Sequence, residues 1–298
     1  VNVHPQPDSY NFDVADQYVQ FGEENGMFIV GHTLIWHNQT PGWVFVDDNG
    51  NPLNRNALLE RMRDHIHSVV GRYSGRIHGW DVVNEALNDD GTLRETPWLE
   101  IIGEDYIEKA FEYAHEADPD AELYYNDYSL ENPEKRAGAI ELIKNLQAMD
   151  IPITGVGTQG HFSLNWPSAE QAEATVRDFA NLDIDVMVTE LDIDVLPSAN
   201  DYQEADISTD AEFEERLNPW PESLPASVQD ALSQRYAELF NVYYNNRDAV
   251  TRITFWGVSD GDSWKNNWPI RGRTNYPLLF DRKWQPKPAF YSVIEIAS

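Results

Sequence analysis

Trp80-Asp81-Val82-Val83-Asn84-Glu85 is a short apolar run with strand character that ends abruptly in an amide and a carboxylate. About a hundred residues on, Ile184-Asp185-Val186-Met187-Val188-Thr189-Glu190 has the same grammar. Each run reads as a buried β-strand that delivers one Glu at its C-terminal end. Parallel strands covered by helices put their chemistry at that end, because the loops there are free to vary while the packed core is not.

Working outward, strand and helix signals alternate. Helical spacing predicts a helix over 13–25 with Val14, Tyr18 and Phe21 on its packing face, and a longer one over 54–74 carrying Leu58, Met62, Ile66, Val69 and Tyr73. Further helices are expected near 104–117, 133–149, 226–246 and 286–296, and Ser168 with Gln171 forms a capping-box start for another. Strands are expected at 27–35, 77–83, 122–125, 153–156, 184–189 and 252–256. Residues 197–225, acidic and flanked by proline, read as a long surface loop. Alternation with short connections implies an α/β chain with a parallel sheet. Six strands suit an open doubly wound sheet, but no Gly-rich phosphate loop follows any of them.

Composition narrows the chemistry. Lys and Arg number 21 against 51 Asp and Glu, a net charge of −30, which disfavours nucleic acid and anionic membrane surfaces and favours a neutral partner. There is no cysteine, so disulfides and thiolate nucleophiles are excluded. No apolar run approaches membrane-spanning length, and no signal peptide is visible. Aromatic residues make up 12%, and Trp36, Trp43, Trp166, Trp264 and Trp268 sit in polar loops where indole faces suit stacking against sugar rings.

Two strand-end glutamates, Glu85 and Glu190, match the pair of carboxyl groups that cleavage of a glycosidic bond requires. In the retaining version one is a protonated acid and the other an ionised nucleophile, about 5–5.5 Å apart. Asn84 is placed to donate to a sugar hydroxyl. His161 is placed to orient Glu190, with Asp192 to fix its tautomer. The alternative roles are structural: a helix cap for Glu85 and a loop contact for His161. Eight His residues show no metal-binding spacing, so metal catalysis is not expected, and no cofactor is expected either. A Ser-His-Asp hydrolase is disfavoured by the absence of a Gly-x-Ser-x-Gly elbow; Trp256 to Trp264 reads better as a sugar-binding loop.

Taken together, these segments resemble the xylanases of glycoside hydrolase family 10, retaining enzymes on a TIM (β/α)8 barrel. The resemblance runs through Gly31-His32-Thr33-Leu34-Ile35-Trp36-His37-Asn38-Gln39, Trp80 to Glu85, Tyr125-Asn126-Asp127-Tyr128, Gln159-Gly160-His161, Thr189-Glu190-Leu191-Asp192, Trp256-Gly257-Val258-Ser259-Asp260 and Pro277-Leu278-Leu279-Phe280-Asp281. It implies Glu85 as acid/base and Glu190 as nucleophile. His32, Asn84, Gln159 and His161 would line the cleaved sugar's site, walled by Trp36, Trp256 and Trp264, with Asn126 and Tyr128 nearby. The implied substrate is xylan or xylo-oligosaccharides, and a polymer substrate implies a secreted or cell-surface enzyme. A β-glucanase or cellulase of related mechanism, and a non-catalytic sugar-binding barrel, are the alternatives. One departure stands out: the family's first two strands have no counterpart here. The expectation is therefore one catalytic barrel domain over 1–298 holding strands three to eight, with the N-terminal part of the barrel supplied upstream or as a separate chain.

Overall fold

The computed structural model describes residues 2–197 and 216–296. Most of the loop expected at 197–225 thus lies outside the described residues. The chain clusters into two compact units, Val1–Thr158 with Phe179–Val186, and Gln159–Asp178 with Met187–Ser298.

In the first unit β1 (Val30–Trp36), β2 (Gly79–Asn84), β3 (Glu122–Asp127) and β4 (Gly155–Thr158) pair in parallel in that order. The register sets Trp36 opposite Asn84, and Asn84 opposite Asn126, so the polar ends of three strands are level. Every residue of β2 is buried, as a strand covered on both faces requires. Close strand packing needs glycine at two points. A Cβ on Gly31 would fall inside the Trp80 indole, and one on Gly79 inside the Tyr124 ring.

Helices α1 (Asp13–Glu24), α2 (Arg55–Arg72), α3 (Pro97–Ile102), α4 (Tyr106–Ala117) and α5 (Pro133–Ala148) belong to the same unit. In α2, Leu58, Met62, Ile66 and Val69 are buried, as their spacing predicts, and the helix packs on α4. Burial of each such side chain stabilises by roughly 1.5–3 kcal/mol. Asn54 caps α2 by accepting a hydrogen bond from Ala57 N at 3.1 Å. Helix α3 was not anticipated. It is too short for a periodic signal, although Thr96 and Pro97 are a legible cap and first-turn pair.

The expected packing face of α1 is a correction. Val14, Tyr18 and Phe21 are 75%, 55% and 59% exposed, while Val19 and Gly22 are buried. Gly22 turns the helix: its bare Cα lets α1 approach Ile29, where an added Cβ would come within 2.5 Å of Cγ1.

In the second unit β5 (His161–Ser163) pairs in parallel with β6 (Asp185–Asp194), and β7 (Val250–Phe255) pairs with β6. Seven strands are therefore present among the described residues, not six. Gly160, at φ +81°, breaks the run after β4, so His161 opens β5 where the sequence suggested the end of a strand. The capping box before α6 (Ala169–Ala180) forms as expected, Ser168 N donating to Gln171 Oε1 at 2.8 Å and Gln171 N to Ser168 Oγ at 3.2 Å. Helix α7 (Ala226–Asn245) packs on α8 (Pro288–Ile296), with Ser233 Oγ 2.7 Å from Ser292 Oγ, and buries Leu232, Tyr236 and Leu239. No described helix is long and apolar enough to cross a membrane.

Candidate active site

In the first unit the end of β2 organises the site residues. Trp36, at the end of β1, donates its indole N–H to Glu85 Oε2 at 2.9 Å. Asn84 donates to Glu85 Oε1 at 3.3 Å and accepts from Asn126 Nδ2 at 3.0 Å. His32 shares a hydrogen bond with buried Asp81 through Nδ1 at 2.9 Å. Glu85 is half-buried and lines a shallow recess together with Trp36, His37, Thr96 and Trp98. His37 carries a lowered pKa, first from burial and then from the nearby Arg94 charge.

Tyr128 was expected beside the sugar. Its hydroxyl accepts from Arg94 Nη2 at 2.8 Å, and its ring carries the Lys135 ammonium 3.3 Å from the centroid. Fully buried Lys135 also pairs with Asp127 Oδ1 at 2.9 Å. Burial raises the Asp127 carboxyl above its usual range against the pull of that ammonium. Arg94 and Asp81 are site-supporting residues that motif reading did not single out. Asp81 stood in the opening stretch, one β-register pair from His32, and that register was the available signal.

In the second unit a chain of groups ends at Glu190 on β6. Glu190 is 5% exposed, and its N–H donates to the Gln159 carbonyl at 2.7 Å. His161 lies 3.2 Å from Glu190 Oε2 through Nε2 and 3.0 Å from Asp192 Oδ1 through Nδ1. Burial by itself would lower the imidazole pKa, but the Asp192 charge, with hydrogen bonds to Asp192 and Glu190, raises it to about 9. The ring is therefore an imidazolium at neutral pH, donating at both nitrogens. Trp264 Nε1 donates to Asp192 Oδ2 at 2.7 Å, and Lys265 Nζ stands 3.4 Å from Oδ1. The Trp264 and Trp256 rings flank His161 at 4.9 and 6.5 Å between centroids, and Trp256 is 37% exposed. Chemically, a carboxylate that accepts from an imidazolium is held in one orientation. Among the described residues, no group of three or more His, Cys, Asp and Glu is arranged to hold a metal ion.

Trp43 and Trp166, read as loop indoles, have packing roles. Trp43 donates to Pro5 O at 3.0 Å, and Trp166 meets Phe162 edge-on at 5.7 Å.

The family model described as glycosyl hydrolase family 10 matches residues 1–296. The chain is 44% identical over 294 residues to the endo-1,4-beta-xylanase A of Xylanibacter ruminicola, covering 99% of this chain and 80% of that protein. It is 43% identical to the beta-1,4-xylanase of Dictyoglomus thermophilum, covering 98% and 78%. A solved endoxylanase retrieved from a sugarcane soil metagenome superposes with a TM-score of 0.93 at 44% identity, covering 99% of this chain and 85% of that one.

Proposed function

This chain belongs to glycosyl hydrolase family 10, and on that premise we infer that it is an endo-acting retaining hydrolase of the internal β-1,4 bonds of xylan. The fold class is the TIM-barrel type that the family resemblance implied. The observation that carries the assignment of roles is the contrast between the two glutamates. Glu190 is buried against a doubly hydrogen-bonded imidazolium, and Glu85 is half-buried on a recess under an indole N–H. Two carboxyls in unlike settings support unlike roles.

In this reading Glu190 attacks the anomeric carbon as the C–O bond to the leaving sugar breaks, and Glu85 gives its proton to the departing oxygen. The glycosyl-enzyme ester then yields to a water from which Glu85 takes a proton, so the starting protonation is restored and configuration is retained. Asn84 would hold the sugar 2-hydroxyl, a bond that tightens as positive charge develops at the ring. His32, Gln159 and Asn126 would contribute further polar contacts, and Trp36, Trp256 and Trp264 the stacking walls. A polymeric substrate favours release from the cell or display on its surface.

Removing each carboxyl in turn tests the roles. Glu190→Ala should abolish turnover of xylan and of an activated aryl xylobioside alike. Glu85→Ala should spare kcat/KM on the aryl substrate by at least about 100-fold relative to xylan, since a good leaving group needs no proton for the glycosyl-enzyme to form. Equal losses on both substrates would reverse the assignment, and faster hydrolysis of β-glucan than of xylan would replace the substrate.

A further inference from the structure

Among the predicted site residues, Glu85 alone has its main chain in the left-handed region, at φ +57°. A side chain larger than glycine is strained there, so the surroundings must hold it. Its N–H donates to the Asn126 carbonyl at 2.9 Å, which secures one side of the residue. The other side is secured by Arg94. Its Nε donates to the Glu85 carbonyl at 3.2 Å, and its Nη2 donates to Leu87 O at 2.9 Å and Tyr128 Oη at 2.8 Å.

Arg94 arrives there by a small reversal of the chain. Leu87 bridges Leu93, Asn88 N donates to Thr92 O at 2.8 Å, and Arg94 N returns to Ala86 O at 2.8 Å. The guanidinium is thus planted on the carbonyls of Glu85 and Leu87, and its far end rests on Tyr128, whose ring is packed under the buried Lys135–Asp127 pair. The planar fork of arginine satisfies these acceptors at once, and the single ammonium of lysine cannot.

We propose that Arg94 is a positioning residue for the acid/base: it clamps the carbonyl of Glu85 and holds that residue in its left-handed conformation, so the carboxyl keeps one aim. This rests on the reading of Glu85 as acid/base. A residue that only stabilised the 86–94 reversal would affect all substrates alike. A clamp on the acid affects those substrates whose leaving group needs the proton.

The test is the Arg94→Lys variant of the intact protein, assayed on xylan and on dinitrophenyl xylobioside, with thermal melting in parallel. The expected result is a kcat on xylan lower by about 10- to 100-fold at little-changed KM. On the aryl substrate the loss in kcat/KM, which reports formation of the glycosyl-enzyme alone, should be under about threefold, because no proton is needed in that step. Equal losses on both substrates, or none on xylan, overturn the clamp. Should Arg94→Lys melt below the assay temperature, Arg94→Gln is read by the same ratio. If the unmodified protein cleaves no xylan, the functional reading falls and this assignment falls with it. If it cleaves xylan and the ratio does not move, Arg94 alone is wrong.

Discussion

The raised pKa of His161 makes stability depend on pH in a window where few other groups titrate. In the unfolded chain the imidazole returns to its ordinary value of 6.5, whereas in the folded protein Asp192 and Glu190, acting against burial, hold it at about 9. Between those limits the native state binds the extra proton, so unfolding releases it, and stability falls as pH rises. The contribution is present in full below pH 6.5 and is gone above about 9. The interval of about 2.5 pH corresponds to roughly 3 kcal/mol. Urea unfolding of the native protein and of His161→Gln, each at pH 6 and pH 10, isolates the effect, since other titrating groups cancel in the difference. The native protein should exceed the variant by roughly 3 kcal/mol more at pH 6 than at pH 10. An independent check is the His161 imidazole titration by NMR. A midpoint at or below 6.5, or a stability difference that is the same at both pH values, would refute the ion-pair account.

Gly138→Ala should destabilise by about 1–3 kcal/mol despite alanine's better helix propensity, because its Cβ would lie 2.7 Å from Gly91 Cα and a main chain cannot rotate away; a melting temperature lowered by several degrees would show it. Lys287→Met strands Asp260, which accepts from Lys287 Nζ at 3.0 Å in a buried pair, and should cost about 3–5 kcal/mol at neutral pH. Burial raises the Asp260 carboxyl above its usual range. The deficit, read by denaturant melts, should therefore shrink as pH falls and the stranded carboxylate is protonated.

Local signals carried most of the elements. The burial of Leu58, Met62 and Ile66, the Ser168–Gln171 box and the run of β2 follow from spacing and side-chain type, which a chain displays without folding. The extent of β6, continuing to Asp194 beyond the expected end at Thr189, was hidden because Glu190, Asp192 and Asp194 interrupt the apolar pattern. These are the residues that a functional strand end carries in place of core residues.

By itself the amino-acid sequence determined that two apolar strands terminate in Glu85 and Glu190, that helices alternate with them, and to which family the motifs belong. Those properties depend on neighbours within a few positions. Tertiary structure decided that Gly22 and not Phe21 faces inward on α1, that the His161 imidazole joins Glu190 to Asp192, and that Arg94 grips the carbonyl of Glu85 while leaning on Tyr128. Tyr128 and Arg94 are 34 positions apart, and Trp36 reaches Glu85 across 49. Hydrogen bonds act over about 3 Å in space, and only packing decides which distant residues come that close.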